Sequence, residues 1–324
     1  MTNFQVIIIG GGPIGIACAL ECEKRGWHYT IIEKGALTNS IYNYPLNMRF
    51  FSTSEKLELD NIPFISNQPK PNRDEALEYY RRVVTSNNLK IKLFETVEAV
   101  EKNQNKFVIT TDKNQYLSEK VIIASGFYDL PKMLNVPGEN LPKVSHYFTE
   151  AHPYILQKVA VIGASNSSVD AALEIWRKGG DVTMIVRGEA IGERVKYWVR
   201  PDMVNRIAEG SIKAYFNAEV TTIDEKSISF KTTEEEITIE NDFVLALTGY
   251  RPNLEFLKNI GIEFSNDNLE KPVYNQDTME TNIKGLYLAG VICGGQETHK
   301  WFIENSRVHA KLIAEHLDGI LIEG

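Results

Sequence analysis

Three glycines near the N-terminus have the spacing of a phosphate-holding turn: Gly10, Gly12 and Gly15, in Ile9-Gly10-Gly11-Gly12-Pro13-Ile14-Gly15. The first allows a tight turn, the second lets backbone approach a pyrophosphate, and the third lets a helix pack closely on a strand. A helix opening there offers unpaired N–H groups and the positive end of its dipole to an anion. Glu33 follows at about the spacing, roughly 20 residues on, of an acid that binds a ribose hydroxyl. The glycine pattern alone is a weak signal. Here the elements that must position it are in register. Residues 4–9 read as an apolar strand, 13–26 as a helix with the small Ala19 toward the sheet, and 29–32 as a second strand ending at Glu33. Together they predict a dinucleotide-binding βαβ unit.

The same logic restarts later. Residues 159–162 read as a strand, Gly163-Ala164-Ser165-Asn166-Ser167-Ser168 as the turn, 169–179 as a helix and 181–186 as the next strand. Gly-x-Ser-x-x-Ser is a degenerate fingerprint, and its weight comes from being the second such unit in one chain. Arg187 stands where an NAD site would carry an acid, and a cation there can pair with a 2′-phosphate. Arg194 and Lys196 add charge on the following loop, so the pattern favours NADPH over NADH.

The remaining elements frame these two units. Residues 34–73 are irregular and rich in aromatics and proline, and a loop that long usually has a function; we expect it beside the first dinucleotide. Residues 74–87 read as a helix, and 91–94, 97–102, 106–111 and 116–118 as a small β-meander. A buried strand at 121–124 ends in Ser125-Gly126. Residues 130–139 form a linker, 198–209 a helix, and 213–216, 219–224, 227–232 and 236–240 a second meander. A hydrophobic strand at 242–247 leads into Thr248-Gly249, and residues 285–291 form a strand entering the Cys293-Gly294-Gly295 turn. A helix follows over 300–317.

Composition narrows the class. The chain has 324 residues, is 43% hydrophobic and 24% charged, and carries a net charge of −8. Two ordinary domains fit that length. The negative balance argues against a nucleic-acid or anionic-membrane partner. No apolar run is long enough to span a bilayer, and a strand beginning within four residues leaves no room for a signal peptide. Three cysteines, Cys18, Cys22 and Cys293, with no Cys-x-x-Cys among them, suit a reducing cytoplasm. The histidines and acids show no metal-ligand spacing and no nucleophile–base triad.

The order of these elements, over nearly the whole chain, resembles the low-molecular-weight thioredoxin reductase superfamily. Ser125-Gly126 stands for its Ala-Thr-Gly crossing, with Ser125 in place of Thr. Ala289-Gly290-Val291 stands for its Ala-Gly-Asp motif, with Val291 in place of Asp. The resemblance implies an α/β fold of two Rossmann-like domains, with FAD and NADPH as cofactors. The FAD domain would comprise 1–127 and 248–324, with the NADPH domain inserted at 128–247. That superfamily places a Cys-x-x-Cys before its second fingerprint. Here the segment reads Ser145-His146-Tyr147-Phe148, then His152-Pro153-Tyr154, and exchange through such a dithiol is closed to this chain.

That segment, the loop with Tyr42-Asn43-Tyr44-Pro45 and Phe50-Phe51-Ser52, and Phe302-Ile303-Glu304-Asn305-x-Arg307 are together similar to a narrower family, the YpdA-type bacillithiol-disulfide (bacilliredoxin) reductases. The family is implied to reduce the disulfide of a low-molecular-weight thiol, directly or with a bacilliredoxin. Its proposed redox cysteine falls at Ile14 here, and isoleucine cannot attack a disulfide. Cys293 is the best remaining thiol, against the reading that it is buried and inert. Cys18 and Cys22, one helical turn apart, read as packing residues. His146 and His152 are candidates to touch substrate or donate a proton, against ordinary structural hydrogen bonding; His299 is a weaker candidate beside the C-terminal turn. The expected cofactor-binding residues are Gly10, Gly12, Pro13, Ile14, Gly15, Glu33, Lys34, Ser52, Val97, Ser125, Gly126, Gly163, Ala164, Ser165, Asn166, Ser167, Ser168, Arg187, Lys196, Gly249, Gly290 and Val291. The expected partner is a small-molecule disulfide or a small redox protein, bacilliredoxin or ferredoxin, with the chain as a cytoplasmic homodimer. Competing readings are a ferredoxin/flavodoxin NADP reductase, which needs no cysteine, a redox sensor that binds both cofactors without turnover, and a flavin monooxygenase.

Overall fold

The computed structural model describes residues 1–321. The chain divides into two compact units, one of Met1–Tyr44, Met48–Leu130 and the chain from Tyr250 onward, the other of Pro45–Asn47 and Pro131–Gly249.

In the first unit, β1 (Thr2–Ile9) lies at the centre of a seven-stranded sheet. It pairs in parallel with β2 (Tyr29–Ile32) on one side and with the strand Gln115–Ile123 on the other. The register puts Ile9 opposite both Ile32 and Ile123, and Leu288 of the strand Leu286–Leu288 opposite Ile123. Four parallel strands therefore end together, at Gly10, Glu33, Ala124 and Ala289. Val6, Ile7, Ile8, Ile31, Val121, Ile123 and Leu288 are all buried, the continuous apolar pattern of strands covered on both faces. The helix α1 (Pro13–Lys24) covers one face and buries Gly15 through Cys22.

Two readings of the sequence change here. Residues 91–92 are not part of the meander; they pair in parallel with β2 at the opposite edge, Ile91 beside Ile31. Residues 116–118 and 121–123 are one strand, Gln115–Ile123. After the exposed Gln115, its first half alternates between buried and half-buried residues where Lys106–Thr111, itself paired with Val97–Asn103, lies antiparallel to it, and its last three residues are buried throughout. That mid-strand change of pattern imitates a break in the sequence.

The second unit has its own five-stranded parallel sheet, in the order Lys213–Tyr215, Asp181–Ile185, Lys158–Ile162, Phe243–Ala246 and Val144–Ser145. Lys213–Tyr215, expected in the second meander, instead pairs in parallel with Asp181–Ile185. The meander proper has three strands, Glu219–Ile223, Ser227–Lys231 and Glu236–Glu240. The helix expected over 198–209 runs over Arg200–Ala208, with proline in its first turn. The helix expected over 300–317 is two, Ile303–Ser306 and Val308–Leu321, divided at Arg307. The Arg307 Nη1 donates to the carbonyl of Glu58 at 2.5 Å, so the break tethers the 54–58 segment to the C-terminal helices. Among the described residues no helix is long and apolar enough to cross a membrane.

Gly15 is the tightest point of the first unit. A Cβ on it would lie 1.9 Å from the Gly10 carbonyl oxygen, and that neighbour is backbone, which cannot swing aside. Gly15→Ala should cost roughly 1–3 kcal/mol as overpacking and lower the unfolding midpoint in a fluorimetric melt. An unchanged midpoint would mean that α1 is not held against the turn in this way.

Candidate active site: two dinucleotide cradles

The ladder continues one residue past the strands of the first unit. The Gly10 N–H donates to Ile32 O (2.9 Å), the Ala124 N–H to Ile9 O (2.8 Å) and the Ala289 N–H to Ile123 O (2.9 Å). A single level edge results, at the carboxyl ends of parallel strands, where open α/β sheets bind their ligands. Gly10 is at φ +112°, and a Cβ there would meet the Ala124 carbonyl oxygen at 2.5 Å. Around the Cβ position of Gly12 there is nothing within 4 Å, which leaves its backbone open to a ligand. Gly12 is the N-cap of α1 with no side-chain cap, and Pro13 brings no N–H. The first-turn N–H groups of Ile14 and Gly15 have no intrahelical acceptor and face that open end.

Glu33 is buried. Its Oε2 accepts the Gly11 N–H at 2.6 Å and its Oε1 the Gly35 N–H at 2.9 Å. Burial pushes the carboxyl up from its ordinary value, against the pull of those two amides. Each carboxylate oxygen keeps a lone pair for a further donor, so the acid locks the glycine turn and can still receive hydroxyls. The Glu95 N–H donates to Glu33 O at 3.0 Å, which brings the chain leading to Val97 alongside. The Lys34 ammonium pairs with Asp129 at 2.6 Å. Ser52 lies in a loop tied to Pro71 through Phe50 and to Pro69 through Ser54. Ser125, Gly126 and Val291 are half-buried along the strand edge. This edge suits a dinucleotide: an open glycine and unpaired helix-end donors lie beside a buried acid, joined to it through the Gly11 N–H.

The second cradle has the same plan and different chemistry. A Cβ on Gly163 would lie 2.7 Å from Leu247 O. At the third position Ser168 replaces glycine, and its Oγ accepts the Ser165 N–H at 3.0 Å and donates to Ser165 O at 2.9 Å. The turn thus closes on itself through a hydroxyl. Asn166 clamps the following loop: its Oδ1 accepts the Lys196 N–H (2.8 Å) and its Nδ2 donates to Arg194 O (3.2 Å). Ala164 O accepts the Gly192 N–H at 2.9 Å. The Lys196 side chain is buried, with its ammonium 2.6 Å from Asp170 Oδ2. Its charge is matched within the protein and serves loop structure. Arg187 and Arg194 are exposed. Gly249, at φ +101°, accepts the Lys132 N–H at 2.9 Å.

The candidate catalytic residues are placed as follows. Cys293 is buried, and burial pushes its thiol far above the range in which a thiolate forms at neutral pH. Cys18 is likewise pushed to about 12 and Cys22 well upward, both by burial. None of the three has the exposed, cation-flanked setting of a redox thiol, and Cys293 reads as a packing residue. The His146 Nε2 is 3.5 Å from Glu139 Oε1. Glu139 itself is buried and accepts the Leu134 and Asn135 N–H groups at 2.5 and 2.7 Å, so His146 sits in a structural network of the linker. His152 and His299 are exposed, His152 in the short turn His152–Tyr154.

Sequence reasoning missed His309. It is buried in the Val308–Leu321 helix, its Nδ1 accepts the Gly290 N–H at 3.1 Å, and Cys293 Sγ lies 3.9 Å from the same nitrogen. In the sequence it is one more inward position of a helix, and nothing marks it.

Two glycine-turned βαβ units, each on the parallel strands of its own sheet, define a two-domain Rossmann-like flavoprotein fold. The chain belongs to the pyridine nucleotide-disulphide oxidoreductase family, whose family model matches residues 7–290. It is 46% identical over 319 residues to bacilliredoxin reductase Bdr of Bacillus subtilis (strain 168), covering 98% of both chains. The solved bacillithiol disulfide reductase Bdr (YpdA) from Staphylococcus aureus superposes with a TM-score of 0.96 at 44% identity, over 99% of each chain. The T. acidophilum thioredoxin reductase superposes with a TM-score of 0.78 at 23% identity, over 99% of this chain and 100% of its own, and shares the fold. The chain is an oxidoreductase, and its cofactors are FAD and NADPH.

Burial holds the His309 imidazole down to about 4, below its ordinary 6.5. The unfolded chain therefore takes up the proton first. The stability tied to neutral His309 is present above pH 6.5 and is lost as the pH falls from 6.5 through 4. The gap in unfolding midpoint between the native chain and a His309→Asn variant should narrow as pH drops from 7 to 4.5. A gap constant over that range would contradict a neutral buried imidazole.

Proposed function

We propose that this chain is an NADPH-dependent reductase of a low-molecular-weight thiol disulfide of the bacillithiol type. The observation that carries the reading is its full-length likeness, 46% identity over 98% of both chains, to a bacilliredoxin reductase. The net reaction is NADPH, a proton and one disulfide going to NADP⁺ and two thiols. FAD, when bound, supplies two-electron transfer between a nicotinamide and an acceptor.

The protein's part is binding and orientation. The level strand edge of the first unit is the FAD cradle in this reading. Gly12 and the Ile14 and Gly15 amides take the pyrophosphate, Glu33 a ribose, and Ser125, Gly126, Gly290 and Val291 the remainder. The Gly163–Ser168 turn takes the NADPH pyrophosphate, and Arg187 the 2′-phosphate. Lys196 acts at one remove, by holding its loop against Asp170. No step is assigned to a protein thiol, because all three cysteines are buried and Ile14 occupies the position of the family's cysteine. His146 and His152 are proposed only as flanking groups of the acceptor path. A homodimer in a reducing cytoplasm, passing electrons onward to a bacilliredoxin, fits the same reading, and free buried thiols are compatible with it.

Two measurements test this. Under anaerobic conditions, NADPH consumption should respond to bacillithiol disulfide and not to ferredoxin; the reverse preference would favour a ferredoxin reductase, and response to neither would sink the proposal. A Cys18→Ala/Cys22→Ala/Cys293→Ser variant should keep disulfide turnover within about three-fold of the native chain, the scale of a packing change rather than a lost nucleophile. A fall of about a thousand-fold would restore a protein thiol to the mechanism.

A further inference from the structure

The turn Gly290–Gly294 begins where the strand Leu286–Leu288 leaves the sheet. Gly290 sits at φ +87°, a left-handed conformation that suits only glycine well. One residue earlier the ladder is still intact, with the Ala289 N–H bonded to Ile123 O. The Gly290 N–H is the first to leave it, and its partner is His309 Nδ1 at 3.1 Å. A backbone N–H only donates, so that nitrogen carries no proton and the imidazole is the neutral tautomer protonated at Nε2. The ring is wedged in place. Cys293 Sγ stands 3.9 Å from Nδ1, and Trp301 packs edge-on with ring centroids 4.6 Å apart and planes at 77°. On its other side Gly290 meets α1: a Cβ placed on it would lie 3.3 Å from the Ile14 side chain. One hydrogen bond thus runs from the C-terminal helix to the residue that abuts the first turn of α1.

We infer that His309 is a positioning residue of the FAD site, fixing the Gly290 amide and with it the 290–294 turn through an unprotonated Nδ1. The inference rests on the proposed reading that this turn lines FAD. An apolar side chain of similar size would fill the same space and leave the Gly290 N–H buried without an acceptor, which the turn can relieve only by moving. The imidazole therefore contributes an acceptor at a set point, in addition to volume.

The tautomer can be read directly. In long-range ¹H–¹⁵N spectra of ¹⁵N-histidine-labelled full-length protein at pH 7, with and without FAD, the His309 signal should show Nδ1 bare and Nε2 protonated. Its assignment follows from its loss in the His309→Asn variant. A proton on Nδ1, or an imidazolium, overturns the inference. FAD affinity gives the second test. His309→Leu should weaken FAD binding about ten-fold, the effect of one lost hydrogen bond. His309→Asn, whose amide oxygen can take the place of Nδ1, should recover most of it, and NADPH affinity should stay unchanged in both. Equal losses in both variants would make His309 a packing residue only, and no loss in either would remove its role. If the native chain does not bind FAD, the functional reading fails while the tautomer result still stands or falls alone. If His309→Leu does not fold, the native-chain spectrum and the Asn variant decide.

Discussion

The first unit depends on one close approach, the Gly15 Cα against the Gly10 carbonyl. No side chain fits between them. Because they touch, α1 starts directly above the end of β1, and its first-turn amides face the same edge at which β2, Gln115–Ile123 and Leu286–Leu288 also end. The buried Glu33 then becomes intelligible. An acid so far from solvent is costly unless hydrogen-bonded, and the Gly11 and Gly35 amides supply those bonds while leaving it able to accept more.

The second unit meets the same demand with different parts. Where glycine would allow contact, Ser168 uses its hydroxyl to bridge the turn, and Asn166 and the Lys196–Asp170 pair hold the following loop over it. A lysine that reads as a phosphate ligand by position thereby also holds its loop. A largely buried ion pair is poor evidence for stability in itself; here its use is to set the loop that presents Arg187 and Arg194.

Both glycine turns, the strand ends and the two-sheet plan were legible in the sequence, because each rests on local rules: glycine where no Cβ fits, apolar runs where a strand is covered twice, an acid at the end of β2. What was not legible depends on who pairs with whom. Residues 91–92 and 213–215 have strand-like composition, and only the assembled sheets show that they join parallel edges. Gln115–Ile123 looked broken because its two halves have different neighbours. His309 carries no local signal, since its importance comes from an amide nineteen positions earlier in the chain. Cys293 stood out because its turn was expected beside the flavin, and its burial agrees with the competing reading of an inert packing thiol.

The central claim is that the four strand ends of the first unit form one FAD cradle. The most direct measurement is hydrogen–deuterium exchange on the apoprotein before and after FAD is added. The account predicts slowed exchange in peptides spanning residues 10–16, 33–35, 124–126 and 289–294 together, with 163–168 unaffected. Protection at 163–168 instead, or protection that spares 10–16, would contradict it.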